Sequence, residues 1–198
     1  MTLKIVERPA FTVVGMKIVT QPRSPAIPGL WPKFVTRVDD IDRPCEPNVS
    51  YGVMWHGESM NVLHYLAAVS VTKPVRVPQG MTMLALPICT YASFSYPLSG
   101  LVNGFCEIFS RLLPSSGYVQ APGPFFERYD EEFSPHNSNS QVEICLPIKS
   151  FVILIRSGFI RRAEPRFSTA ILSRWCMRST APVLTRRWRR APLPPARL

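Results

Sequence analysis

Two short segments late in the chain carry residue types able to do chemistry. In an extended strand, alternate residues face opposite sides. Over residues 142–148 this puts Val142, Ile144, Leu146 and Ile148 on an apolar side, and Glu143 and Cys145 on the other. Over residues 126–130 it puts Glu127 and Tyr129 together, opposite Phe126 and Arg128. If the two strands pair, Glu127 and Glu143 are expected to approach each other on a cavity face. A buried carboxylate is costly without a partner. Two close together raise at least one pKa unless a cation arrives. A carboxylate inside aromatic walls is therefore a receptor for a lipophilic cation, with each ring face adding roughly 0.5–2 kcal/mol. The aromatics available to line it are Trp31, Tyr51, Trp55, Tyr65, Phe94 and Tyr129. Each has a plainer alternative. A lone carboxylate is more often a surface residue or a structural acceptor. An aromatic is more often core, above all Trp31 with its helical spacing. Glu131 and Glu132 read as solvated loop charges.

Other chemistries find less in the sequence. Cys145 beside Glu143 could be a nucleophile, but no histidine is placed to activate it. His56, His64 and His136 are scattered. No nucleophile elbow, Ser/His/Asp order or zinc spacing is present. Cys45, Cys89, Cys106, Cys145 and Cys176 form no C-x-x-C pair, and their odd number argues for reduced, mostly buried thiols. No catalytic residue, metal or cofactor is assigned. Paired carboxylates could still act as general base and orienting group for water, so hydrolysis stays open as the second class of function.

The elements that must position these residues follow from pattern. Residues 11–19 are rich in β-branched types and read as a strand. Leu30, Trp31, Phe34, Val35, Val38 and Ile41 recur at helical spacing, with Pro28 in the first turn and Pro44 and Pro47 beyond the end. Short strands follow over 51–55 and 62–71. A second pass has the same order: an apolar strand region over 81–96, a helix over 101–113 closed by Pro114-Ser115-Ser116-Gly117, then strands over 125–130 and 142–148. The expectation is an α+β fold of two βαββ repeats. They share one antiparallel sheet, with two helices on one face and the central ligand cavity on the other.

The chain's 198 residues allow one ordinary domain, and 46% apolar with 18% charged residues exclude a disordered chain or a coiled coil. The net charge of +10 is unevenly spread. Residues 1–150 hold 12 Lys and Arg against 12 Asp and Glu; residues 151–198 hold 11 Arg against Glu164 alone. The expected division is therefore a domain over 1–150 and an Arg/Pro-rich tail over 151–198. The tail reads as a disordered or non-native extension, with an arginine-rich arm touching nucleic acid as the sharper alternative, Trp175 and Trp188 interleaving with its arginines. Direct DNA binding by 1–150 is not expected. No apolar run approaches the ~20 residues of a membrane span, and the N-terminus has no signal-peptide pattern. A cytoplasmic protein, monomeric or homodimeric through an exposed sheet edge, is the expectation.

Several ordered pieces carry a resemblance. They are Glu7-Arg8-Pro9-Ala10-Phe11-Thr12-Val13-Val14-Gly15, Ile27-Pro28-Gly29-Leu30-Trp31, Tyr51-Gly52-Val53, Tyr65-Leu66-Ala67-Ala68-Val69, Pro78-Gln79-Gly80-Met81, Tyr91-Ala92-Ser93-Phe94, Leu113-Pro114-Ser115-Ser116-Gly117-Tyr118, Phe126-Glu127-Arg128-Tyr129-Asp130 and Val142-Glu143-Ile144-Cys145-Leu146-Pro147-Ile148-Lys149. In this order they resemble the GyrI-like small-molecule-binding domain, also called the AraC-type effector-binding domain, over about three quarters of the chain. Departures are Ala68 and Ser70 where the family often has glycine and glutamate, Tyr96-Pro97-Leu98-Ser99-Gly100 in place of a histidine-glycine turn, and Cys145 in place of an aromatic. The resemblance implies the duplicated βαββ fold and binding of organic cations through glutamates matching Glu127 and Glu143. It also implies a stand-alone sensor or scavenger of multidrug type, linked to transcription regulation through a DNA-binding or other protein partner. Its alternatives are hydrolysis of electrophilic small molecules with a glutamate positioning water, and inhibition of a protein such as gyrase.

Overall fold

The computed structural model describes residues 3–59, 61–72 and 76–150. The expected tail over 151–198 lies outside the described residues. Eleven main elements follow in order: β1 (Lys4–Arg8), β2 (Phe11–Thr20), α1 (Ala26–Val35), β3 (Ser50–His56), β4 (Leu63–Val71), β5 (Thr82–Leu86), β6 (Cys89–Pro97), α2 (Leu101–Glu107), β7 (Tyr118–Gln120), β8 (Phe125–Tyr129) and β9 (Gln141–Ser150). α1 stops at Val35, and a 3₁₀ turn over Val38–Asp40 carries the remainder of the expected helix. α2 continues through a wider π turn, Ile108–Leu112, so the helical stretch seen in the sequence is one element with a change of winding.

The strands form one antiparallel sheet in the order β1-β6-β9-β8-β3-β4-β2-β5, with β7 added to the end of β9. The α+β architecture and its duplication are as expected, with one added strand in the first repeat, β1, and two in the second, β5 and β7. The apolar region over 81–96 splits at Pro87 and Ile88 into β5 and β6, which belong to opposite ends of the sheet. β1 adds to β6 and β5 adds to β2, so each repeat lends its leading strand to the other. The two halves meet at the β3–β8 pair. Across it, the row Tyr51–Ala68–Gly15–Thr82 in one repeat corresponds to Phe126–Cys145–Ser93–Lys4 in the other. The pair Gly52 and Glu127 lies where the halves exchange.

Each sheet face buries its own core, because alternation along every strand sends neighbours to opposite sides. α1 and α2 cover one face: Leu30 and Phe34 on α1, and Phe105, Ile108 and Phe109 on the second helical stretch, pack onto Val14, Tyr65, Phe94, Phe125, Ile144 and Leu146. The opposite face holds Val13, Tyr51, Val53, Leu66, Leu86, Tyr91, Phe126 and Cys145. α1 depends on that packing. It is ten residues long, has Pro32 inside, and Pro25 at its N-cap position makes no side-chain cap bond. A helix this short gains little from propensity, and an interior proline removes a backbone hydrogen bond.

Candidate functional site

The centre of the helix-covered face holds a carboxylate. Glu127 on β8 is 5% exposed. Its Oε2 accepts hydrogen bonds from the hydroxyl of Tyr129 at 2.7 Å and of Tyr65 at 2.9 Å. No ion pair to it is found among the described residues. Burial pushes its pKa up to about 7, with the two phenols opposing the rise. The phenols themselves stay protonated, because burial and the adjacent carboxylate raise both well above their usual value.

Trp31 closes the site from α1. Its indole N–H donates to the Tyr65 hydroxyl at 3.1 Å, and its ring packs edge-on to Tyr129 with centroids 4.9 Å apart. An indole only donates, so the Tyr65 oxygen accepts from Trp31 and points its own proton at Glu127. The polar chain therefore runs Trp31 to Tyr65 to Glu127. Phe94 lies on the same face in the cross-strand row Phe94–Ile144–Glu127–Gly52.

Gly52 makes the room. A Cβ built on it would sit 2.3 Å from the Tyr65 hydroxyl and 2.7 Å from Glu127 Oε2. A glycine inside a strand often marks such a close approach. The duplication thus places a carboxylate at the centre from one repeat and leaves the space for it in the other.

The register corrects two expectations, that Glu127 and Glu143 approach each other and that Glu127 faces the side away from the helices. Glu127 pairs with Ile144, whereas Glu143 pairs with Arg128. Cross-strand partners share a face, so Glu127 lies with Val142, Ile144, Leu146 and Ile148 under the helices, and Glu143 points to the other side. The two glutamates do not meet. Strand parity was read correctly within each segment, but its relation between segments depends on a one-residue choice of register. Tyr51, Trp55 and Cys145 also lie on the Glu143 face and cannot line one cavity with Glu127. The structure thus brings together Glu127, Tyr129, Tyr65 and Trp31, with Phe94 in their row, and separates Glu143, Cys145, Tyr51 and Trp55 from them.

Glu143 is not a free charge. Its Oε1 accepts from the Ser93 hydroxyl at 2.6 Å and its Oε2 from Arg8 at 3.2 Å. Beside it in the row stand Arg128 and Tyr51. The Tyr51 hydroxyl donates to Glu46, which also accepts from Ser70 at 3.1 Å and Arg128 at 3.4 Å. Burial lifts the Cys145 thiol to about 12, which removes it as a nucleophile near neutral pH. Trp55 stacks on His64 at 5.0 Å. Gly52, Glu46, Arg8, Ser93 and Arg128 were not assigned a role from sequence. For Gly52 the signal was available, a glycine between Tyr51 and Val53 in an apolar strand. For the others the partners lie on different strands and nothing local marks them.

The chain matches the family profile described as "GyrI-like small molecule binding domain" over residues 1–149. It is 36% identical over 151 residues to the transcriptional regulator BrlR of Pseudomonas aeruginosa, a match that covers 75% of this chain and 56% of the relative. The chain thus spans about half the length of that curated relative. Among solved structures, SAV2435 bound to tetraphenylphosphonium superposes with a TM-score of 0.62 at 17% identity, covering 75% of this chain and 94% of that one. EcmrR, solved in a DNA complex, superposes with a TM-score of 0.58 at 13% identity, covering 75% and 57% respectively. At these identities the likeness is one of fold.

Proposed function

The chain belongs to the GyrI-like small-molecule-binding domain family, which includes relatives of transcription regulators, and from that premise we propose that it binds a lipophilic organic cation against Glu127 beneath α1. One observation carries this: a fully buried carboxylate held by two phenols, with no described cationic side chain against it. Ionised, Glu127 lacks a counter-charge; neutral, it wastes an acid in the middle of a core. A hydrophobic cation resolves both states. It supplies the charge, and Trp31, Tyr65 and Tyr129 supply ring faces. Trp31 now occupies the position against the phenols, so an entering ligand displaces it and breaks its bond to Tyr65. The output of such binding, in this reading, is sensing or scavenging, with any effect on transcription passing through a partner.

Tetraphenylphosphonium is a suitable probe because it has charge and aromatic bulk but no N–H donor. The full chain is expected to bind it with saturable quenching of tryptophan fluorescence, and Glu127→Gln to weaken binding by at least about 30-fold, some 2 kcal/mol. Affinity should rise as pH increases toward 7, because binding to the ionised form expels a proton, and level off above. Equal binding by Glu127→Gln, or an affinity indifferent to pH between 5 and 8, would sink the carboxylate reading.

A further inference from the structure

The sheet face away from α1 and α2 holds a second polar assembly that the cation site does not use. Glu143, Arg128 and Tyr51 are neighbours in one cross-strand row. Arg8, at the end of β1, leans over the Phe126 ring at 5.5 Å and reaches Glu143. Glu46, from the loop before β3, reaches Arg128 and the Tyr51 hydroxyl. Lys4 lies on the same side of β1, opposite Ser93.

Three features of this assembly point to a missing acceptor. First, the Nε–H groups of Arg8 and Arg128 are buried and have no hydrogen-bond partner. Buried donors without acceptors are rare, and each is a place where an ion or water belongs. Second, both ion pairs are long single contacts, 3.2 Å and 3.4 Å, not the two parallel bonds that arginine and a carboxylate prefer. The arginine side chains are each 22% exposed, so a solute can reach them. Third, neither carboxylate belongs to its arginine alone: Glu143 also accepts from Ser93, and Glu46 also accepts from Tyr51 and Ser70.

We infer that this face binds a small monocarboxylate between Arg8 and Arg128, over Tyr51. Planar guanidinium groups match a carboxylate geometrically, and its two oxygens can accept from the Nε–H groups that lack partners. Glu46 and Glu143 keep the arginines apart and aimed while the site is empty, and each surrenders part of its partner when the anion enters. This inference is independent of the cation reading, because the residues involved point to the opposite side of β3, β8 and β9.

The test is an NMR titration of the full chain with sodium benzoate at constant ionic strength, following the arginine Nε–H resonances, with sodium chloride and inorganic phosphate as parallel arms. The expected result is a saturable shift of the Arg8 and Arg128 signals with benzoate at millimolar concentration or below, and none with chloride. Arg8→Lys and Arg128→Lys, which keep charge but lose the fork, should each weaken binding at least tenfold, and Glu127→Gln should leave it within twofold. Phosphate binding tenfold or more weakly than benzoate supports a monocarboxylate site; phosphate binding equally well overturns that assignment. No saturable shift, the same shift with chloride, or loss of binding in Glu127→Gln overturns the inference. Should a lysine variant fail to fold, the wild-type titration and the Glu127→Gln arm still decide it.

Discussion

Glu127 and Glu143 sit on adjacent strands and face opposite ways, and their environments share almost nothing. Glu127 is sealed under α1 and bonded to two phenols. Glu143, at 26% side-chain exposure, is held by an arginine and a serine. The first is a charge deprived of a partner; the second is a charge already supplied with one. Residue type is the same in both cases. What differs is the set of neighbours on each face, and that set follows from which residue of β9 pairs with Glu127. Glu127, the carboxylate proposed to take a ligand, is the one left without a cationic side chain among the described residues.

The largest expected effect separates the two on stability. With its pKa raised to about 7 from 4.5, Glu127 binds a proton in the folded chain that the unfolded chain has released. Between those values stability falls as pH rises, and above pH 7 the ionised group costs about 3 kcal/mol. Glu127→Gln removes that cost, so in urea unfolding the variant should gain up to about 3 kcal/mol over the parent at pH 8 and little at pH 4.5. A variant less stable than the parent at pH 8 would show that the phenols compensate the charge in full. The same substitution is expected to weaken the proposed cation binding, so in this reading the site is kept at the expense of the fold.

Gly52 comes next, the counterpart of Glu127 across the centre of the duplication. Gly52→Ala places a methyl group within 2.3 Å of the Tyr65 hydroxyl and 2.7 Å of the carboxylate. Overpacking of this kind costs about 1–3 kcal/mol. It should also pull the phenol off Glu127 and weaken tetraphenylphosphonium binding about tenfold. Unaltered binding and stability would mean that the strands part easily there and that the glycine is not needed for the site.

By contrast, Glu143→Gln should cost only about 1 kcal/mol. The arginine beside it is partly solvated, and the amide oxygen can still accept from Ser93. Cation binding should stay within twofold. A tenfold loss would tie Glu143 to the cation after all and would make the two faces one functional unit.

These contrasts also show what the amino-acid order can reveal. Alternation in 126–130 and 142–148 assigned Glu127 with Tyr129, and Glu143 with Cys145, to common sides, and both assignments hold. Helical spacing placed Trp31 on a helix, and helix packing brought it to the site. The duplication was legible because turn residues punctuate both halves in the same order. Register was not. Moving β9 by one residue against β8 interchanges its faces, and no turn ties these two strands tightly, since the long stretch between Tyr129 and Gln141 permits either alignment. β1 was also illegible: five residues, two of them basic and one acidic, become a strand only because β6 offers an open edge. The arginine cluster escaped notice for a related reason, its members coming from β1, β8 and the loop before β3.

The smallest effect tests whether charge or ring contact dominates on the α1 face. Trp31→Phe keeps an aromatic body against Tyr129 but deletes the donor to Tyr65. The Tyr65 hydroxyl then loses one bond of about 1 kcal/mol while remaining free to donate to Glu127. Phenylalanine is also a weaker cation–π partner than tryptophan, by a fraction of a kcal/mol at most sites. The variant should melt slightly lower and bind tetraphenylphosphonium about two- to fivefold less tightly. A loss as deep as that of Glu127→Gln would make the indole the principal determinant and reduce the carboxylate to setting the orientation of the phenols. A small loss with an unchanged pH dependence would leave Glu127 as the group that selects for charge, because its raised pKa of about 7 falls within the range over which binding is expected to vary.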